Sequence, residues 1–148
     1  MPLPPLPAEA IVVGAAVTDW RAAVREAGAA LTAAGATLPA YSDEMVRMIE
    51  QYGPYVVIAP GLALAHARPG PTVLADGLAI VTLASPVAFG HPHNDPVSVV
   101  LGLAVARSDQ HLAAVAALAN VFNDSDAIAS LAAASTVEDV QRIMGVTP

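Results

Sequence analysis

The sequence predicts an α/β fold: a three-layer sandwich with a mixed central β-sheet and helices on both faces. Three observations lead there. Two near-continuous apolar runs, Leu78 to Leu83 and Val97 to Ala106, lie in the second half of the chain, as strands covered on both faces require. Helical periodicity flanks the strand-rich centre on either side. The length, 148 residues, suits one domain with a substantial buried core. Strands in the middle and helices toward both ends make a layered α/β arrangement.

The elements follow in order. Met1 to Pro7 holds four prolines and reads as a stiffened tail, so we place a proline-rich tail at residues 1–8 and a single domain at 9–148. Ala10 to Val17 is a short β-rich run. Asp19 is placed to cap a helix through Ala34, in which Trp20, Ala23, Val24, Ala27, Ala30 and Leu31 recur at helical spacing, and Gly35 closes it. A second helix starts near Pro39, a good first-turn residue, and turns Met45, Met48 and Ile49 inward until Tyr52-Gly53. Tyr55 to Ala59 is a strand, Pro60-Gly61 a turn, and Leu62 to Ala65 a further extended stretch that delivers His66. The two apolar strands come next, with the polar loop Phe89 to Pro96 between them. Three helices finish the chain: one capped by Ser108 and running to about Phe122, one capped within Asn123 to Asp126, and one opened by Ser135-Thr-Val-Glu138, a capping-box pattern.

Composition excludes several functions. All six basic residues are arginine, against 13 acidic ones, for a net charge of −7. An acidic surface with scattered arginines repels phosphate backbones, so no nucleic-acid partner is expected. With no cysteine there is no disulfide framework, zinc-thiolate site or thiol nucleophile. Hydrophobic residues reach 55%, yet the richest runs, Tyr55 to Ala65 and Leu78 to Phe89, are broken by Pro60-Gly61 and Pro86. Both fall short of the ~20 residues a spanning helix needs. The first residues carry no basic charge and do not resemble a secretory signal, so a cytoplasmic domain is the expectation.

So few charges make the polar residues in apolar surroundings stand out. His66 follows a strand-turn-strand segment and precedes Arg68 by two residues, a spacing that puts both side chains on one face of an extended segment. A neighbouring guanidinium disfavours the imidazolium. A neutral ring next to an arginine suits attack on a phosphoryl group, with the guanidinium on the phosphate oxygens. The alternative is a strand-ending histidine whose ring bonds backbone. His111 falls three residues after Ser108, in the first turn of a helix, where backbone N–H groups and the dipole favour an anion; a solvent-facing histidine is the other reading. His91-Pro-His93, with Asn94 and Asp95, could supply two metal ligands. The intervening proline gives that pair no geometric support, and we assign no metal and no cofactor. There is no Gly-x-Ser-x-Gly elbow or glycine-rich phosphate loop.

The segment Tyr55-Val-Val-Ile-Ala-Pro-Gly-Leu-Ala-Leu-Ala-His-Ala-Arg-Pro69 resembles the phosphorylation-site segment of enzyme IIA of the phosphoenolpyruvate-dependent sugar phosphotransferase system, mannitol/fructose type, and more narrowly its ascorbate-like branch. The resemblance continues through Pro86-Val-Ala-Phe-Gly90, Asn94-Asp-Pro-Val97, Asp109-Gln-His-Leu112 and Leu118 to Met144, and begins at Asp19-Trp-Arg-Ala-Ala-Val24. It implies that His66 accepts a phosphoryl group from the histidine-containing phosphocarrier protein and passes it to a cysteine of enzyme IIB, a separate chain. His111 matches the family's second active-site histidine, and Arg68 belongs to the His-Ala-Arg signature of the ascorbate-like branch. The membrane unit, enzyme IIC, would be reached only indirectly. A regulatory enzyme IIA-like module that senses phosphorylation state is the rival reading, and the alanine-rich helices leave room for a homodimer. Two positions depart from the family pattern. Ala65 stands where the family has proline, and Glu50, with Arg47 nearby, stands where mannitol-type members have arginine.

Overall fold

Parallel pairing at the centre of the sheet decides where the functional groups meet. The computed structural model describes residues 3–145. Its strands are β1 (Ile11–Ala15), β2 (Val57–Ala59), β3 (Leu62–His66), β4 (Gly77–Val87) and β5 (Val97–Ala104), and its helices α1 (Trp20–Ala33), α2 (Ala40–Tyr52), α3 (Ser108–Val121), α4 (Ser125–Ala133) and α5 (Val137–Met144). The five strands form one mixed sheet in the order β1-β4-β5-β3-β2. β1 runs parallel to β4 and β3 parallel to β5, while β4/β5 and β2/β3 are antiparallel.

Both faces of the sheet are covered, as the apolar runs predict. Leu78 to Leu83 and Val99 to Val105 are buried at every position, and successive strand residues point to opposite faces. α1 takes one face, burying Ala23, Val24, Ala27, Ala30 and Leu31. It comes so close to β5 that a Cβ on Gly102 would stand 3.2 Å from Leu31 and 3.3 Å from Ala27. α4 and α5 close the other face through Ile128, Leu131 and Val140, all buried. α2 flanks α1 and brings Tyr41, Met45, Val46 and Ile49 inward.

Local chemistry sets the boundaries. Asp19 caps α1 by accepting from the Ala22 N–H at 2.8 Å, and Asp124 caps α4 by accepting from Asp126 N–H at 2.9 Å. Gly61 turns β2 into β3 with φ 81°, a left-handed value that side chains with a Cβ avoid. Four expectations are corrected. Ser108 is the first helical residue of α3 rather than its cap; extended Arg107 occupies that position without a side-chain cap and pairs instead with Asp109. The α5 box is shifted by one residue: Thr136 accepts from Asp139 N–H at 3.0 Å, and the Asp139 carboxylate reaches back to Ser135 N–H. β4 runs past Pro86, because its pairing to β5 is irregular between Thr82 and Val87 and needs no N–H there. The described part of the proline-rich start, from Leu3, has no helix or strand before a 3₁₀ turn at Ala8–Ala10, but it docks: Leu6 is buried and the Pro5 carbonyl accepts from Leu78 N–H at 3.1 Å. Two leucines among the prolines give that segment an apolar surface to bury.

Among the described residues no helix is long and apolar enough to cross a membrane.

Candidate active site

Because β3 and β5 are parallel neighbours, their C-terminal ends emerge at the same end of the sheet, the usual place for a binding crevice in such folds. His66 is the last residue of β3 and lies opposite Leu103 of β5. Past Ala104 the chain leaves β5 and enters α3, whose first turn carries His111. Asp76 holds this exit in place, accepting from Ala106 N–H at 2.8 Å. The two histidines, 45 positions apart in the chain, thus come together with ring centroids 5.3 Å apart.

They open into a cleft of about 380 Å³ lined by Met48, Tyr52, Tyr55, His66, Ala67, Arg68 and His111. β3 ends at His66, so Arg68 lies just beyond the strand, yet it lines the same cleft. His66, His111 and Arg68 are therefore brought together, and α2 supplies the opposite wall. The edge of Tyr55 packs on His66 at 5.8 Å between centroids.

The hydrogen bond at His66 fixes its chemistry. Nδ1 lies 2.8 Å from the Leu64 carbonyl, which can only accept, so Nδ1 carries the proton and Nε2 keeps a free lone pair. The backbone-bonded ring of the alternative reading is thus present, and it is the arrangement that makes Nε2 a nucleophile. Burial, first of all, lowers the His66 pKa below the ordinary histidine value; the Leu64 bond opposes this and His111 adds to it. The expectation that Arg68 holds the ring neutral is corrected: desolvation does so, and the charge of Arg68 acts on Tyr55, where it opposes an upward shift due mainly to burial. Burial also lowers the His111 pKa. Its Nδ1 is enclosed and has no hydrogen-bond partner among the described residues, a rare condition for a buried polar atom unless a ligand completes it.

Of the six arginines, Arg21, Arg25, Arg107 and Arg142 are ion-paired. Among the described residues Arg47 and Arg68 form no ion pair, and both line a second groove of about 450 Å³ that adjoins the His66 cleft and also holds Glu44. Glu50 points elsewhere, toward Arg21 of α1 at 3.0 Å, and does not line the cleft. His91 and His93 stay in their loop. His91 Nδ1 accepts from the His93 and Asn94 N–H groups at 3.1 and 3.0 Å, while the Asp95 carboxylate accepts from the Phe89, Gly90 and His91 N–H groups. Among the described residues no group of three or more His, Asp or Glu could hold a metal ion.

One residue at the site escapes sequence reasoning. Tyr41 of α2 is fully buried; its hydroxyl accepts from Ala67 N–H at 2.9 Å and donates to the Leu103 carbonyl at 2.7 Å. Its position four residues before Met45 marks it as part of the inward face of α2, and a buried tyrosine hydroxyl almost always has a partner.

Comparison with known proteins places the chain by sequence and by fold. The chain is 35% identical over 133 residues to the ascorbate-specific PTS system EIIA component of Escherichia coli (strain K12), covering 89% of this chain and 86% of that protein. Its fold matches that of the complex of enzyme IIAMtl and phosphorylated enzyme IIBMtl from Escherichia coli, with TM-score 0.82 and 25% identity over 95% of this chain and 97% of that one. It also matches nitrogen regulatory protein IIA-Ntr from Neisseria meningitidis, with TM-score 0.80 and 28% identity over 94% and 95% of the two chains. Residues 5–145 match the family model for the phosphoenolpyruvate-dependent sugar phosphotransferase system, EIIA 2. With its mixed sheet, its two histidines at one sheet end and a match along nearly its whole length, the chain belongs to this EIIA 2 family of phosphotransferases.

Proposed function

We propose that this chain is a phosphocarrier in which His66 accepts a phosphoryl group from the histidine-containing phosphocarrier protein and passes it to a cysteine of enzyme IIB, for uptake of an ascorbate-like sugar. The observation that carries the reading is the His66 ring: Nδ1 is bound to the Leu64 carbonyl, and Nε2 is free beside His111. In the first step the lone pair of Nε2 forms a bond to phosphorus as the donor's nitrogen–phosphorus bond breaks. The donor imidazole leaves with that electron pair. In the second step the thiolate sulfur of enzyme IIB forms the bond to phosphorus, and Nε2 recovers its lone pair. Nδ1 keeps its proton in both steps, so the Leu64 carbonyl stabilises the positive charge that develops on the ring.

Little covalent chemistry falls to the rest of the protein, which works by positioning and electrostatics. His111 and Arg68 offer donors to the phosphoryl oxygens, and partial burial of the cleft strengthens each contact. The partners dock over the cleft, where the lining Tyr52 is 56% and Tyr55 40% exposed, and onto α3, where Leu112, next to His111 in the chain, is 80% exposed. Such a patch suits a transient protein interface, and the chain's net charge of −7 favours encounter with a basic carrier. The ascorbate-like assignment rests on the 35% identity to the ascorbate-specific component, and the enzyme IIB partner on the similarity to the mannitol complex. The membrane enzyme IIC takes part only through enzyme IIB.

A second reading has an observation of its own: the similarity to a nitrogen regulatory IIA protein fits a module that reports phosphorylation state without transport flux. One experiment tests both. The protein is incubated with phosphoenolpyruvate, enzyme I and the phosphocarrier protein, and acid-labile, alkali-stable phosphate is measured. The carrier reading predicts label on the wild type, none on His66→Ala, and onward transfer to enzyme IIB. Label that stays on the protein in the presence of the ascorbate-type enzyme IIB favours the regulator. Equal label on His66→Ala refutes both.

A further inference from the structure

We infer that Tyr41 is a positioning residue for phosphoryl transfer: its hydroxyl fixes the peptide plane between His66 and Ala67, and so aims the His66 ring and Arg68 into one cleft. The inference rests on the phosphocarrier reading for the reaction it serves, but its geometry stands independently.

β3 ends at His66, and β5 continues only to Ala104. At the end of a strand the next N–H loses its regular ladder partner and must find another acceptor or stay unpaired. The Tyr41 oxygen is that acceptor. It takes the Ala67 N–H at 2.9 Å and gives its proton to Leu103 at 2.7 Å, the residue opposite His66 in the ladder. A single hydroxyl on α2 therefore ties the ends of β3 and β5 together directly behind the proposed nucleophile. The ring side is held separately by the Leu64 carbonyl at 2.8 Å. With its backbone plane and its Nδ1 both tied, His66 has little freedom left to turn Nε2 away from His111.

The same helix ties the chain beyond Arg68. Glu44 accepts from the Thr72 hydroxyl at 2.8 Å, and the Leu38 N–H reaches the Thr72 carbonyl at 2.8 Å. The segment from Ala67 to Thr72, which carries Arg68, is anchored at one end by Tyr41 of α2 and at the other by Glu44 of α2 and by Leu38, two residues before that helix. Tyr41 is suited to its part at all physiological pH values. Burial raises its pKa to about 12, so the hydroxyl stays protonated and continues to donate to Leu103 while accepting from Ala67.

The test separates aim from stability. Tyr41→Phe keeps the ring and removes only the oxygen; Ile49→Val loosens the same helix without touching these bonds. In transfer from the phosphorylated carrier, Tyr41→Phe should lower kcat about 10- to 100-fold with KM for the carrier nearly unchanged, the size of effect that misplacing a reacting group produces. Ile49→Val should stay at the wild-type rate. A monofluorinated tyrosine at position 41 should restore the rate. Nitrogen NMR of the His66 ring should show one Nδ1–H tautomer in the wild type and a mixture in Tyr41→Phe. Wild-type rate together with an unchanged tautomer in Tyr41→Phe would overturn the inference. Should that variant not fold, a difluorinated tyrosine, a weaker acceptor for Ala67 N–H, takes its place; a slower rate supports the role and an unchanged one removes it. If neither the phosphorylated carrier nor phosphoramidate labels His66 in the wild type, the phosphocarrier reading fails, while the tautomer comparison still decides the role of Tyr41.

Discussion

Replacing His111 with alanine isolates its part in the reaction with little effect on the fold. The ring sits in the first turn of α3, and its Nδ1 makes no hydrogen bond to any described residue. Removing it therefore breaks no intramolecular bond at that atom, and alanine is the better helix former by about 0.5 kcal/mol. Thermal stability should hold or rise slightly. What is lost is a donor to the phosphoryl oxygens, and a hydrogen bond to a charged group contributes about 1.5–3 kcal/mol. At about 1.4 kcal/mol per factor of ten, that is a slowing of roughly 10- to 150-fold. The assay is rapid-quench, single-turnover transfer from the phosphorylated carrier, with melting followed in parallel. His111→Ala should become labelled at His66 more slowly but to the same extent. His111→Gln, which keeps an N–H donor, should fall in between. A change below about threefold would remove His111 from the transfer step, since one such bond must exceed that. Complete loss of His66 labelling would give it a role larger than stabilising oxygens.

Other consequences follow from the same geometry. Arg68→Ala should slow transfer by about 10- to 100-fold, the range for one charge-assisted contact, whereas Arg21→Ala, whose guanidinium is engaged by Glu50 outside the cleft, should leave the rate unchanged. Leu112→Glu places a charge on the exposed apolar residue that follows His111 in α3 and should raise KM for the protein partners at least about tenfold, with labelling by phosphoramidate unaffected; equal KM values would exclude Leu112 from the docking face. The lowered pKa values of His66 and His111 give a pH dependence of stability. Each ring is held neutral in the folded state, so the unfolded chain binds more protons below about pH 6.5. The contribution is complete above that value and disappears as the pH falls through the lower folded values. Urea unfolding of wild type against His66→Gln between pH 7.5 and 5 should show the wild type losing more stability; parallel curves would contradict the assignment.

Much of the fold is written in local patterns. The apolar runs at Leu78 and Val97 are read correctly as doubly covered strands, because burial on both faces leaves no alternation. Asp19, Pro39 and Gly53 mark helix ends through their own side chains or backbone freedom, and those ends stand within a residue. Misreadings occur where a neighbour competes. Ser108 looks like a cap, but Arg107 already holds the extended conformation before it. At α5 two adjacent hydroxyls compete, and Asp139 selects Thr136 over Ser135 for the cap. Prolines suggest a stiffened tail at the start, whereas Leu6 finds a place in the core.

The site divides along the same line. His66 and Arg68 are two residues apart and can be read together, but their pairing with His111 comes from the parallel β3/β5 register, which no short window contains. The neutrality of His66 looks like an arginine effect in one dimension; in three dimensions it is a desolvation effect. Tyr41 carries the helical spacing of a core residue, and nothing local tells that its partners lie 26 and 62 positions away. His91 and Asp95 show the converse. They look like a ligand cluster, yet both are occupied with the N–H groups of their own loop.

The atom that carries the phosphoryl group tests the account most directly. Nitrogen–phosphorus correlated NMR of the protein phosphorylated by the phosphocarrier protein should place phosphorus on Nε2 of His66, with the proton still on Nδ1 facing the Leu64 carbonyl. Phosphorus on Nδ1 of His66, or on His111, would contradict it.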